Sequence, residues 1–237
     1  MTDLDALLGA ARLVDLTQPL GPATALWPGS TPFEARVVAD YETHGGYARE
    51  LAVPEHAGTH LDAPAHFDPA GARVDSIPLE ALVRPLVKLD VRPWVRDDPG
   101  AVIGADVLLE LEARDGTIAP GSAVLIHTGW DAHHGDASRY LGEEAVAFPG
   151  LARDAAALIV ARGAAGLGID TLSVDPGSST DYPVHHTVLP AGLWQLEGLV
   201  GLERVPARGA WLVAAPPVLV DGSGAPARVF AIVPSDA

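Results

Sequence analysis

The chain has 237 residues, 48% of them hydrophobic and none cysteine, and a formal net charge of −16. Length and apolar content support one domain with a sizeable core, and the lack of cysteine excludes disulfides and thiolate metal sites, so a metal must be held by His, Asp or Glu. With Lys88 as its single lysine, the acidic chain offers no basic patch for nucleic acid and little attraction to anionic membranes.

The opening segment, MTDLDALLGAARLVDL, has neither a positive n-region nor a long apolar run, so no signal peptide is expected. No run of about 18 apolar residues occurs, and a cytoplasmic setting is expected. Strands are expected over "ARLVDL", "FEARVVADY" and "ARELAV", then over "PLVKLDV". "GADVLLELEARDG" reads as a helix, with apolar residues at 107, 108 and 111 and a stop at Gly116. "AVLIHT" reads as a strand. "FPGLARDAAALIVARGAAG" reads as a second helix, with Pro149 near its start and Gly163 as its stop. "GLGID", "AWLVAAPPVLV" and "ARVFAIV" complete the strands. Strands early and late, with helices between, indicate a single mixed α/β domain over residues 1–237, rich in tight turns from its 25 glycines and 21 prolines.

One segment stands apart. "HAGTHLDAPAHF" (56–67) holds three of the nine histidines, His56, His60 and His66, together with Asp62. Gly58 and Pro64 argue against a continuous helix, so the segment is expected at a strand end and turn. A lone histidine is usually solvated or hydrogen-bonded. Three interleaved with an aspartate supply imidazole nitrogen and carboxylate oxygen, the ligand set of zinc or manganese. His56, His60 and Asp62 could equally form the two-His-one-carboxylate triad of non-haem iron. The H-E-x-x-H helix of zincins and the G-x-S-x-G elbow of serine hydrolases are both absent.

Further along, His133 and His134 fall in a polar loop. His127, in "VLIHTGWD", suits either a site or a sheet surface. His185 and His186 follow "SVDPGSSTDYP", and Glu197 lies twelve residues after His185, amid "GLWQLEGLVGL". A carboxylate there is costly to bury unless it is paired or metal-bound; the alternative is an exposed side chain on an alternating strand.

The stretch His56-Ala-Gly-Thr-His60-Leu-Asp62-Ala-Pro64-Ala-His66 resembles the signature of the metal-dependent cyclase-type hydrolases, which include bacterial kynurenine formamidases and isatin hydrolases. "LWPGSTPF", "VLIHTGWD", "GLGIDTLSVDPG", "PVHHTVL", "LEGL" and "GAPARVFAI" are similar to family segments in the same order. The resemblance implies that family's compact β/β/α domain, in a homo-oligomer such as a dimer or tetramer. It implies one metal on His56, His60 and Asp62, with Asp62 bridging to a second completed by His185 and Glu197. Two divalent ions per chain are expected, zinc first and manganese second. His66 takes the role of catalytic acid/base, and Trp27 that of a pocket wall for an aromatic small-molecule substrate. "GSSTDYP" and "GSGAPARVFAI" depart from the formamidase pattern and are expected to shape the pocket.

The constellation favours hydrolysis, because a divalent metal lowers the pKa of a bound water from about 15.7 to about 7. The first expectation is cleavage of an aryl formamide of the N-formylkynurenine type. The alternatives are an isatin-type cyclic amide or lactone hydrolase, a non-haem iron oxygenase, and a non-catalytic metal-loaded binding protein.

Overall fold

Strands with apolar side chains on both faces form the middle of the fold, as expected of parallel strands covered on two sides. The computed structural model describes residues 9–96 and 98–235; residues 1–8, part of the segment expected to carry no signal peptide, lie outside the described residues. The strands in chain order are β1 (Arg12–Asp15), β2 (Glu34–Ala39), β3 (Ala48–Ala52), β4 (His60–Asp62), β5 (Val83–Asp90), β6 (Val102–Ile103) and β7 (Ala123–His127). They continue as β8 (Gly150–Leu151), β9 (Gly166–Ile169), β10 (Trp194–Glu197), β11 (Trp211–Ala215), β12 (Gly224–Pro226) and β13 (Arg228–Val233). Nine of them make one mixed sheet in the order β1-β13-β11-β5-β7-β9-β10-β4-β12. The run β5-β7-β9-β10 is parallel, and the flanking pairs are antiparallel. β2 and β3 form a separate hairpin, and β6 pairs with β8.

Alternation along these strands divides the apolar residues between two cores. Leu86, Leu125, Leu196, Leu212 and Val229 meet inside the curled sheet. Val87, Leu89, Val124, Ile126, Leu167 and Ile169 face the other way, onto two helices. These are α1 (Ala105–Asp115) and α2 (Arg153–Ala161). Helix α1 buries Val107, Leu108, Leu111 and Glu112 at i, i+1, i+4 and i+5, the stripe expected at 3.6 residues per turn. The buried Glu112 carboxylate accepts from Arg162 Nε (2.9 Å) and Nη2 (2.8 Å) and from the Ile118 N–H (2.8 Å), which ties α1 to the end of α2.

Every expected strand is present, and two element boundaries differ. Helix α2 begins at Arg153 rather than beside Pro149, because Gly150–Leu151 pair with Val102–Ile103 first. The run "AWLVAAPPVLV" stays in the sheet only to Ala215. Pro216 and Pro217 lack the N–H a ladder needs, and Val218 and Val220 beyond them are exposed.

Two glycines in β9 set how closely the sheet can fill its interior. A Cβ on Gly168 would lie 2.5 Å from Leu125, and one on Gly166 would lie 2.3–2.4 Å from the Trp194 indole. That indole is held by its Nε1–H, which donates to the Ala81 carbonyl (3.0 Å). Gly166→Ala is therefore expected to destabilise the fold by about 1–3 kcal/mol through overpacking, read as a lower urea midpoint with an unchanged m-value.

Candidate metal centre

The motif His56–His66 occupies a bend, a strand and a 3₁₀ turn rather than a single element. His56 precedes Gly58, whose φ of 61° is in the left-handed region. His60 and Asp62 lie on β4, and His66 closes the turn Pro64–His66. Antiparallel pairing sets Glu197 opposite His60 and Gln195 opposite Asp62, so these four side chains share one face of the sheet. On the other side of β4, Gly224 faces Asp62. A Cβ at Gly224 would lie 2.5 Å from the His56 ring, so the missing side chain makes room for that imidazole. His185 opens the short helix α3 (His185–Val188) and enters from above the sheet.

His60, Asp62, His185 and Glu197 are all buried. His60 Nε2 lies 3.3 Å from Asp62 Oδ1 and 3.4 Å from Glu197 Oε2. His185 Nε2 lies 3.5 Å from Asp62 Oδ2 and 3.3 Å from Glu197 Oε1. These separations are long for hydrogen bonds, but tetrahedral ligands about 2.0–2.1 Å from a zinc ion stand about 3.3 Å apart. Asp62 Oδ2 is buried with no hydrogen-bond partner, an orphan that a cation would satisfy. The donor set and its spacing therefore fit a divalent metal.

Two triads among the described residues bring potential ligand atoms within 4.8 Å of one another here: His60–Asp62–Glu197 and His56–Asp62–His66. Asp62 belongs to both. The grouping implied by the resemblance places His56 with His60; in the structure His56 Nδ1 lies 2.6 Å from Asp62 Oδ1, and the His56 ring stacks on His66 with centroids 4.0 Å apart.

Three supporting residues were not foreseen. Asp175 Oδ2 lies 2.6 Å from His185 Nδ1, while its Oδ1 accepts from the Val184 N–H (2.8 Å). An outer carboxylate in this position would orient the imidazole toward a metal; the only sequence signal was an aspartate ten residues before His185. Ser223 Oγ lies 3.0 Å from His56 Nε2 and donates to Glu55 Oε2 (2.8 Å). The Val174 N–H donates to Glu197 Oε1 (3.0 Å). His186 is exposed at the protein surface, His134 Nδ1 contacts the Asp131 carbonyl, and His127 lines a different cleft.

The electrostatics follow from this crowding. Burial pulls the His60 ring down, but the carboxylates of Asp62 and Glu197 override it and push it up to about 10. Burial likewise opposes charge on His185, yet Asp175, Asp62 and Glu197 hold it well above its ordinary value. Burial raises Asp62, but the surrounding imidazoles hold it well below the usual carboxylate range. His66 behaves oppositely: burial, with the neighbouring His56 and His185, brings it down to about 4, so it is neutral at pH 7.

A chamber of about 330 Å³ opens over these groups, walled by Trp27, Phe67, Leu172 and Tyr182 with Ser173. Trp27 stands on a turn in which the Ser30 N–H donates to its carbonyl (3.0 Å). Its indole packs edge-on to Phe148 at 6.3 Å and lies 6.1 Å from Tyr182.

Asp175→Asn leaves a side-chain amide facing donors on both sides, and is expected to lower metal affinity by about 10–100-fold, as read by chelator competition. A second expectation concerns pH. The folded-state value of His60 lies above its ordinary 6.5, at about 10. Its protonated ring therefore stabilises the metal-free fold fully below about pH 6.5, and that contribution is lost as the pH rises through about 10. Metal requires the neutral ring, so metal affinity rises over the same window. Calorimetry should show chelator-treated protein losing melting temperature between about pH 7 and 10, with a smaller loss for zinc-loaded protein.

Residues 14–176 match the family described as Putative cyclase. An isatin hydrolase from Roseibium aggregatum is 29% identical, over 96% of this chain and 94% of its own length. A kynurenine formamidase from Salinibacter ruber is 32% identical, over 91% of this chain and 95% of its own. Among solved structures, an isatin hydrolase bound to the product analogue thioisatinate aligns with a TM-score of 0.91 at 28% identity, covering 95% of this chain and 94% of that one. Isatin hydrolase A from Ralstonia solanacearum aligns at 0.88 with 34% identity, covering 95% and 93%. The chain belongs to the cyclase family, and with the fold of these hydrolases it is a metal-dependent amidohydrolase.

Proposed function

We propose that the enzyme hydrolyses an amide whose nitrogen is attached to an aromatic ring. The observation that carries this reading is the chamber itself, in which Trp27, Phe67 and Tyr182 face the His56–His66 pair. Aromatic walls favour a flat aryl substrate. The chamber has no arginine or lysine among the described residues lining it, so no basic side chain there pairs with the carboxylate of an amino-acid side arm. This favours a compact uncharged bicyclic amide of the isatin type, with the open-chain formamide of N-formylkynurenine as the second substrate to assay.

Within this reading, His56, His60, Asp62, His185 and Glu197 would hold two divalent ions, zinc or manganese, with Asp62 common to both groups, and the ions would activate a bound water and polarise the scissile carbonyl. Trp27 and Phe67 sandwich the ring and exclude water. His66, neutral and lining the chamber, takes the proton released by the attacking water and passes it to the leaving nitrogen. The scissile C–N bond breaks, giving a carboxylate and an aryl amine.

A homo-oligomer belongs to the same proposal. Hairpin β2–β3 exposes Val37, Tyr41, Tyr47 and Leu51 on a two-stranded unit that is marginal alone. A cytoplasmic setting accords with the cysteine-free sequence. Among the described residues no helix is long and apolar enough to cross a membrane.

The test is an anaerobic assay of metal-loaded protein against isatin, N-formylkynurenine and a lactone panel, with metal counted by elemental analysis. Hydrolysis without O₂ is expected; turnover that needs iron and O₂ would mark an oxygenase, and metal without turnover a binding protein. His66→Asn should keep most of its metal and lose about 10²-fold or more in kcat; a metal-free variant would reassign His66 as a ligand.

A further inference from the structure

A second cleft, sharing no lining residue with the aromatic chamber, lies at the C-terminal ends of β5 and β7, where open α/β sheets commonly bind ligands. Its volume is about 760 Å³. His127, the last residue of β7, faces it with Asp131 from the turn that follows and Glu203 from the segment after β10. We propose that His127, Asp131 and Glu203 form an accessory site for a divalent cation of the zinc or manganese class.

Three observations carry this. One potential ligand atom from each of the three residues falls within 4.8 Å of the other two. His127 is 1% exposed, and its Nδ1 is buried with no hydrogen-bond partner; the nearest carboxylate oxygen, Asp90 Oδ1, is 4.0 Å away. A buried imidazole left unsatisfied at the wall of an open cleft points to a ligand. The third observation is that, among the described residues, the nearby cations bond chiefly to groups other than Asp131 and Glu203. Arg92 is bound to Asp90 through Nε (2.8 Å) and Nη2 (2.6 Å). Arg96 Nε donates to the Pro93 carbonyl (2.8 Å), Lys88 Nζ to those of Leu202 (3.0 Å) and Val205, and Arg204 Nη2 to that of Asp15 (2.5 Å). Arg204 Nε comes only within 3.7 Å of Glu203. Asp131 is anchored by the Gly201 N–H (2.7 Å), and burial together with the Glu203 charge raises its carboxyl. One nitrogen and two carboxylate oxygens suit a borderline divalent ion with water in its remaining positions. The ion would pin the segment after β7 to the segment after β10, whose last strand residue is Glu197.

The experiment counts Mn²⁺ bound to chelator-stripped full-length protein from the free-ion EPR signal. Asp62→Asn removes the carboxylate common to both triads of the main centre, so binding that persists belongs elsewhere. That variant is expected to retain about one saturable equivalent. Adding Glu203→Gln or Asp131→Asn should abolish it, and adding His127→Gln should weaken it about tenfold or more. In the otherwise native chain Glu203→Gln should bind one equivalent fewer, which keeps the test open if Asp62→Asn does not fold. Retention of the native count by Glu203→Gln, or no Mn²⁺ on folded Asp62→Asn, overturns the proposal. Failure of the main centre to bind metal leaves the Asp62→Asn result unchanged.

Discussion

The burial of Asp62 is the constraint around which the molecule is organised. An isolated carboxylate cannot be taken out of water without a large loss of solvation energy, and this one is 1% exposed. It is sustained by imidazoles on three sides: His56 from the preceding bend, His60 from its own strand and His185 from α3. Removing any one of them leaves charge uncompensated, which is why breaking such a buried network costs far more than its net contribution to stability suggests. A bound metal would resolve the same problem in another way, exchanging protons on the rings for a cation among the oxygens.

That arrangement depends on sheet register. His60 and Glu197 are direct cross-strand neighbours, and a slip of one residue between β4 and β10 would put them on opposite faces. The register is held from both sides, because Leu61 and Leu196 point into the interior core while the ionisable residues point out of it. The apolar face thus fixes the polar one. Asp175 extends this logic beyond the ligands, capping the start of α3 and gripping His185 Nδ1 with one side chain, so that helix and imidazole are set together.

The sequence announces some of this and conceals the rest for physical reasons. The motif His56–His66 is legible because its donors are contiguous. The helical stripe at Val107, Leu108 and Leu111 is legible because helix contacts are local. Strand β4 spans only three residues, too few for alternation to register, and its partners lie far along the chain. Glu197 becomes interpretable through spacing and resemblance alone, since alternation by itself allows an exposed strand residue. Asp175 sits in a Gly/Pro-rich loop where an aspartate is ordinary. Pro149 suggests a helix start, yet tertiary pairing of β8 with β6 takes the residues that follow it.

The placement of β4 between β10 and β12 also has a consequence in time. On an emerging polypeptide the histidine motif leaves the ribosome well before both neighbours of its strand, residues 194–197 and 224–226. Until then His60 and Asp62 have no sheet to join, and the imidazole of His56 lacks Ser223. A nascent chain can therefore present candidate ligands without presenting a site, so metal uptake at these residues would follow completion of the sheet rather than accompany translation of the motif.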